Sequence, residues 1–124
     1  THAVLRGAVD PHGVNVPYYH YEDLVWFAEA YQKRGLANAA IIVDTNHANS
    51  NKKYAEQPRI AMEVMQSRRH SPMLKHLVRG FMIESFIEEG SQKVTENTYG
   101  KSITDPCLGW KESEKLIRDL AEMV

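Results

Sequence analysis

The chain has 124 residues, 43% of them apolar and 25% charged, which is enough for one domain (residues 1–124) with a core of its own. A net charge of −1 leaves no electrostatic footprint for nucleic acid or an anionic membrane, and the longest apolar run, residues 39–43, is far too short to span a bilayer. The single cysteine, Cys107, excludes an internal disulfide and fits a reducing cytoplasm.

Three strand-then-helix units are legible in chain order. The chain opens directly on a short apolar segment with no initiator methionine, which reads as a piece of a longer protein. That segment, residues 2–7, is predicted as a strand with Arg6 at its end. A loop punctuated by Pro11, Gly13 and Pro17 follows. The helix after it spans 22–34: Glu22 and Asp23 in the first turn and Lys33 and Arg34 in the last complement the helix dipole. Gly35 suits the position just past the end, and Leu24, Phe27, Ala28 and Tyr31 supply the apolar face.

The second strand, 39–44, is a continuous apolar run, as expected of a parallel strand covered on both faces. A polar loop, 45–53, leads to a helix that starts or kinks at Pro58 and ends near Arg69. Ile60, Ala61, Val64 and Met65 form its face, and Arg68-Arg69-His70 its solvated end. The third strand is placed at 81–85. A long loop, 87–110, separates it from a last helix, 112–123, whose face is Leu116, Ile117, Leu120 and Ala121. Trp26, Trp110 and the methionines read as packing residues. Strands alternating with amphipathic helices predict an α/β fold with a parallel sheet.

Candidate chemistry gathers at strand ends. Arg6 closes an apolar strand, where a guanidinium must be paired or must face a cleft; an anion clamp and a structural ion pair both fit. His47 follows the second strand and Glu84 closes the third, at the carboxyl ends where parallel α/β folds place their sites. A carboxylate at the end of Phe81-Met-Ile-Glu84 costs several kcal/mol if unpaired in apolar surroundings, so it calls for a cation. Asp105 is a third candidate, although aspartate before proline is also a turn residue. Imidazole with carboxylates suits manganese, iron, cobalt or zinc better than calcium. The three are widely spaced, so no compact ligand motif is present. Cys107 stands too close to Asp105 for easy joint ligation and reads as a small buried thiol. Gly100-Lys101-Ser102 lacks the glycine spacing of a phosphate loop, but Lys101 can still meet an anion.

Taken together and in order, Leu5-Arg6-Gly7, Asp44-Thr-Asn-His47-Ala-Asn-Ser50, Met82-Ile-Glu84-Ser85 and Tyr99-Gly-Lys-Ser-Ile-Thr-Asp105-Pro-Cys-Leu-Gly-Trp110 resemble class I 3-deoxy-D-arabino-heptulosonate 7-phosphate synthases, also called phospho-2-dehydro-3-deoxyheptonate aldolases. The resemblance implies the last three β/α units of a (β/α)8 TIM barrel, incomplete as a single chain. It implies condensation of phosphoenolpyruvate with erythrose 4-phosphate, the entry to aromatic amino acids by the shikimate pathway, in a cytoplasmic homo-oligomer. By motif match, His47, Glu84 and Asp105 would hold a divalent metal ion and Arg6 would contact phosphoenolpyruvate, so Arg6 and His47 are the catalytic candidates and Arg6 and Lys101 the substrate-binding ones. The family's fourth ligand, a cysteine near the start of the barrel, falls in the missing amino-terminal part, with the basic loops that grip both phosphates. Two alternatives stand beside this reading: the sister octulosonate 8-phosphate synthase, and a non-catalytic fragment or interaction module.

Overall fold

The computed structural model describes residues 2–124. Its elements run β1 (Ala3–Leu5), β2 (Ala8–Val9), β3 (Asn15–Val16), α1 (Tyr21–Lys33), β4 (Ile41–Asp44), a 3-10 turn (Tyr54–Glu56), α2 (Gln57–His70), α3 (Pro72–Leu77), β5 (Val78–Met82), β6 (Glu88–Ser91), β7 (Lys101–Ser102) and α4 (Trp110–Glu122). The main sheet has the order β1-β4-β5. Both pairings are parallel, with Leu5 opposite Val43 and Val43 opposite Phe81. Right-handed crossovers make sequential neighbours the default in such sheets, so the order follows from the alternation of strands and helices.

Alternation along the strands divides the sheet's faces. Leu5, Ile41, Val43 and Val78 are buried against Leu24 and Ala28 of α1, Ile60 and Val64 of α2, and Leu74 and Leu77 of α3. The opposite face is open: Val4 and Met82 are 41% and 37% exposed. The helices therefore cover one side only. A smaller cluster of Ala61, Leu108 and Leu116 fastens α4 and the loop before it to α2. Among the described residues no helix is long and apolar enough to cross a membrane.

Local chemistry explains the element ends. His20 N–H is capped by the Asp23 carboxylate at 3.2 Å, and α1 ends at Gly35, whose φ of +58° suits glycine. Pro58 stands in the first turn of α2, where its missing N–H costs nothing.

Several expectations are corrected. The third strand lies at Val78–Met82 rather than 81–85, because Val78 is the residue that pairs with Ile41 in the core. Arg79 and Gly80 disguise it: Arg79 is exposed, and Gly80 sits where an added Cβ would come 3.3 Å from Ile42 Cδ1. Glu84 thus stands two residues past the strand. The loop after β1 contains a hairpin, β2 with β3, whose turn is held by Asp10 Oδ1 accepting from His12 N and Val14 N, both at 2.8 Å. The short helix α3 carries its own signal, Ser71 accepting from Leu74 N with Pro72 in the first turn. Within the long loop, β6 and β7 pair in parallel. Trp26, Trp110 and Ile117 are exposed, at 64%, 61% and 57%, rather than packed.

Candidate active site

The carboxyl ends of β1, β4 and β5 gather the charged residues that the sequence singles out. The loop after β4 is tightly turned. His47 adopts a left-handed backbone with φ of +49°, a conformation that costs an L-residue on the order of 1 kcal/mol. The turn folds its ring back over the strand end, where Nδ1 lies 2.7 Å from Asp44 Oδ2. Asp44 is fully buried, and its other oxygen accepts from Asn46 N at 2.8 Å. With Nδ1 engaged, His47 Nε2 faces Glu84 Oε1 at 3.8 Å and Asp105 Oδ2 at 3.5 Å.

Glu84 lies past the end of β5, yet its backbone is fixed. The Gln57 side chain, fully buried at the start of α2, accepts from Glu84 N at 2.9 Å and donates to Glu84 O at 2.9 Å. One amide thus takes the place of a neighbouring strand. Gln57 Oε1 also accepts from Thr45 Oγ1 at 2.9 Å, tying the end of β4 to the same point. Leu108 N adds a second donor to Glu84 O at 3.0 Å. Gln57→Ala would leave the part-buried Glu84 N–H without its partner while Glu84 O keeps Leu108 N, at about 1–3 kcal/mol for the unsatisfied group. Urea unfolding should show a loss on the order of 2 kcal/mol; a loss no larger than that of an exposed glutamine would contradict this role.

Asp105 is placed from the third direction. Asn46 Nδ2 donates to Pro106 O at 3.4 Å, and Ser50 Oγ steadies Asn46 Oδ1 at 2.8 Å. Cys107 is buried, its thiol donating to Asp105 O at 3.3 Å and lying 3.9 Å from Glu84 Oε2. Burial, with smaller pushes from the charges of Glu84 and Asp105 and an opposing hydrogen bond from Ser102, raises the thiol's pKa. The native thiol then holds its proton to higher pH than the unfolded one. Its contribution to stability is complete below the unfolded thiol's pKa and is lost as pH rises through the native value. Iodoacetamide should therefore alkylate Cys107 slowly in the native protein and quickly in urea; equal rates would contradict the burial argument.

Arg6 stands at the end of β1, its side chain 55% exposed and its Nε 3.9 Å from Asp44 Oδ2. Both readings of the sequence are met in part: the guanidinium is loosely paired and still open to solvent. It lines an opening of about 310 Å3 together with His47, Asn15 and Lys52. Gly7 shapes this rim. Its φ is +76°, and a Cβ there would meet Val16 O at 2.7 Å and Ala48 Cβ at 2.9 Å. Asn49 Nδ2 donates to Leu5 O at 3.0 Å and to Asp44 O at 2.7 Å, stitching the ends of β1 and β4 together. Lys101 is not drawn into this group; on β7 it pairs with Glu88 of β6 and passes over Gly90.

His47, Glu84, Asp105 and Arg6 thus share one end of the sheet, as expected from their positions after strands. Asp44, Asn46, Asn49 and Gln57, which hold them, were not singled out from the sequence. Their signal was polarity at the end of an apolar strand and at the first position of a helix. Among the described residues no set of three or more His, Cys, Asp and Glu could hold a metal ion as they stand; two carboxylates face one imidazole nitrogen, at 3.5 and 3.8 Å. Donor atoms sharing one transition-metal ion at about 2.1 Å stand at most about 4.2 Å apart. The 3.5 and 3.8 Å separations lie inside that span. Nδ1 lies against the Asp44 carboxylate, and Nε2 faces two further carboxylates. Such convergence of electron-pair donors fits a cation.

Comparison with known proteins gives the family of this chain. A model of the DAHP synthetase I family matches residues 12–118. The Trp-sensitive phospho-2-dehydro-3-deoxyheptonate aldolase of Enterobacter agglomerans is 41% identical over 126 aligned residues, covering 99% of this chain and 33% of its own length. The Trp-sensitive enzyme of Escherichia coli K12 is 33% identical over the same shares. A solved structure of the phospho-2-dehydro-3-deoxyheptonate aldolase of Francisella tularensis SCHU S4 superposes with a TM-score of 0.83 at 29% identity, over 98% of this chain and 33% of that one. The chain spans about a third of the length of these relatives. With a family match over most of its length, this chain belongs to the DAHP synthetase I family.

Proposed function

We propose that this chain forms the last three β/α units of a (β/α)8 barrel and carries the metal half of an active site that condenses phosphoenolpyruvate with erythrose 4-phosphate. The observation that carries the reading is the convergence of Glu84 and Asp105 on His47 Nε2 at the carboxyl end of a parallel sheet, in a chain of this family. The open sheet face with Val4 and Met82, and the free edges of β1 and β5, are where the remaining strands would close the barrel. Parallel sheets otherwise occur with both faces covered.

In this proposal His47, Glu84 and Asp105 are ligands of a divalent ion, with manganese, iron, cobalt and zinc all compatible with one imidazole and two carboxylates. When bound, the ion supplies Lewis acidity toward the aldehyde oxygen of erythrose 4-phosphate. The chain's own groups do the rest of what falls to this third of the barrel. Arg6, half exposed at the opening beside His47, anchors the anionic enol substrate and keeps it beside the ligand cluster. Asp44 and Gln57 hold His47 and Glu84 so that neither must reorganise during the reaction. Lys101, on β7 outside this cluster, is kept as a further candidate for substrate contact.

The chemistry balances as a condensation. Carbon 3 of phosphoenolpyruvate attacks the aldehyde carbon and forms the new C–C bond, and the aldehyde oxygen takes up a proton. Water adds at the electron-poor carbon 2, and loss of phosphate from that carbon leaves the keto acid. Cytoplasmic placement and a homo-oligomer belong to the same proposal. The barrel completed by the missing segment should yield a seven-carbon sugar acid phosphate from erythrose 4-phosphate. Preferential turnover of arabinose 5-phosphate to the eight-carbon product would instead favour the octulosonate reaction.

A further inference from the structure

We propose that Asp44 is a positioning residue for the site: its carboxylate takes the Nδ1 hydrogen of His47 and so fixes the tautomer whose Nε2 lone pair faces Glu84 and Asp105. This deepens the reading above and rests on it for the identity of the cation. Nothing in the motif makes Asp44 a ligand. It is fully buried, on the side of His47 away from Glu84 and Asp105.

A buried carboxylate is costly unless its oxygens are satisfied. Asp44 has one oxygen on Asn46 N at 2.8 Å and the other on His47 Nδ1 at 2.7 Å, with Arg6 Nε at 3.9 Å from that same oxygen. The imidazole bond is the short contact, so the carboxylate is committed to His47. The left-handed backbone of His47 is what brings Nδ1 back to a residue three positions earlier. An imidazole is free to place its hydrogen on either nitrogen until a partner chooses. Here the partner is an anion, which accepts hydrogen and cannot donate one. Nε2 is then left as an acceptor among acceptors, able to bind a cation without first losing a proton.

The test is made on the completed barrel with two readouts. Long-range 1H–15N spectra of 15N-histidine-labelled protein, taken where the shifts show a neutral ring, report the tautomer directly. The expected result is hydrogen on Nδ1 of His47; hydrogen on Nε2 overturns the proposal with no variant needed. The second readout is Co2+ affinity by titration. Asp44→Asn should weaken Co2+ binding about 10–100-fold, the usual effect of losing a partner of a ligating histidine. If Asp44 acts through His47, the same change made in a His47→Ala background should have no added effect. An unchanged affinity in Asp44→Asn, or a loss that persists undiminished without His47, overturns the proposal. Hydrogen on Nδ1 in a completed barrel that binds no Co2+ would sustain the positioning role and sink the metal reading, so the two failures are distinguishable.

Discussion

Replacing His47 with alanine in the completed barrel should lower turnover of phosphoenolpyruvate and erythrose 4-phosphate by more than about 100-fold at ordinary metal concentrations. Losing only an outer partner of a ligand already costs about 10–100-fold, and losing the ligand itself should cost more. The fold should survive. Among the described residues the short side-chain bond of His47, a loop residue, is to Asp44, so the cost to the fold falls on that one buried carboxylate. Glu84→Ala should behave in the same way, because Gln57 holds the backbone of Glu84 rather than its carboxylate. Steady-state assays across a range of added metal check both. Full activity in Glu84→Ala would contradict the ligand assignment. Cys107→Ser should leave metal affinity unchanged, since the thiol is buried, protonated and turned toward the Asp105 carbonyl.

The second large effect concerns the chain by itself. The isolated 124-residue chain should show no synthase turnover and should bind metal weakly. Three candidate ligands come from three separate loops, and the site among the described residues is not closed. Positioning of both substrates carries much of the rate in such reactions, and it needs groups beyond Arg6 and Lys101. The same chain should self-associate, because β1 and β5 present unpaired backbone edges and the sheet keeps one face uncovered. Sedimentation would report the association. Adding the segment that completes the barrel should suppress it and restore product formation. Turnover at an ordinary enzyme rate by the isolated chain would refute the claim that its site is partial.

The frame of this protein was legible because its strands are punctuated by chemistry. The apolar run 39–43 pointed to a parallel strand, which forms at Ile41–Asp44 with only Ile41 and Val43 of the run buried, and Ile60, Ala61, Val64 and Met65 pointed to one helix face, which is buried. The ligand candidates were legible for the same reason, as polar groups at the ends of apolar elements. The misses have physical causes too. The third strand was placed three residues late because Arg79 and Gly80 interrupt its apolar pattern; Gly80 pairs with Ile42, while Arg79 falls at a register shift between the paired Val78 and Gly80. The hairpin after β1 was taken for loop because its strands are two residues each, too short for any alternation to show. Gln57 and Asn49 were invisible because a buried amide looks like a surface one until its partners are known. Their work is to replace backbone partners at strand ends, and only the assembled structure brings those ends together.

The most direct test of the central claim is anomalous scattering from crystals of the completed barrel grown with Mn2+. The account predicts one strong manganese peak in contact with His47 Nε2, Glu84 and Asp105, about 2.0–2.2 Å from the coordinating atoms. A peak held by other residues, or ordered His47, Glu84 and Asp105 side chains with no metal between them at saturating Mn2+, would contradict it.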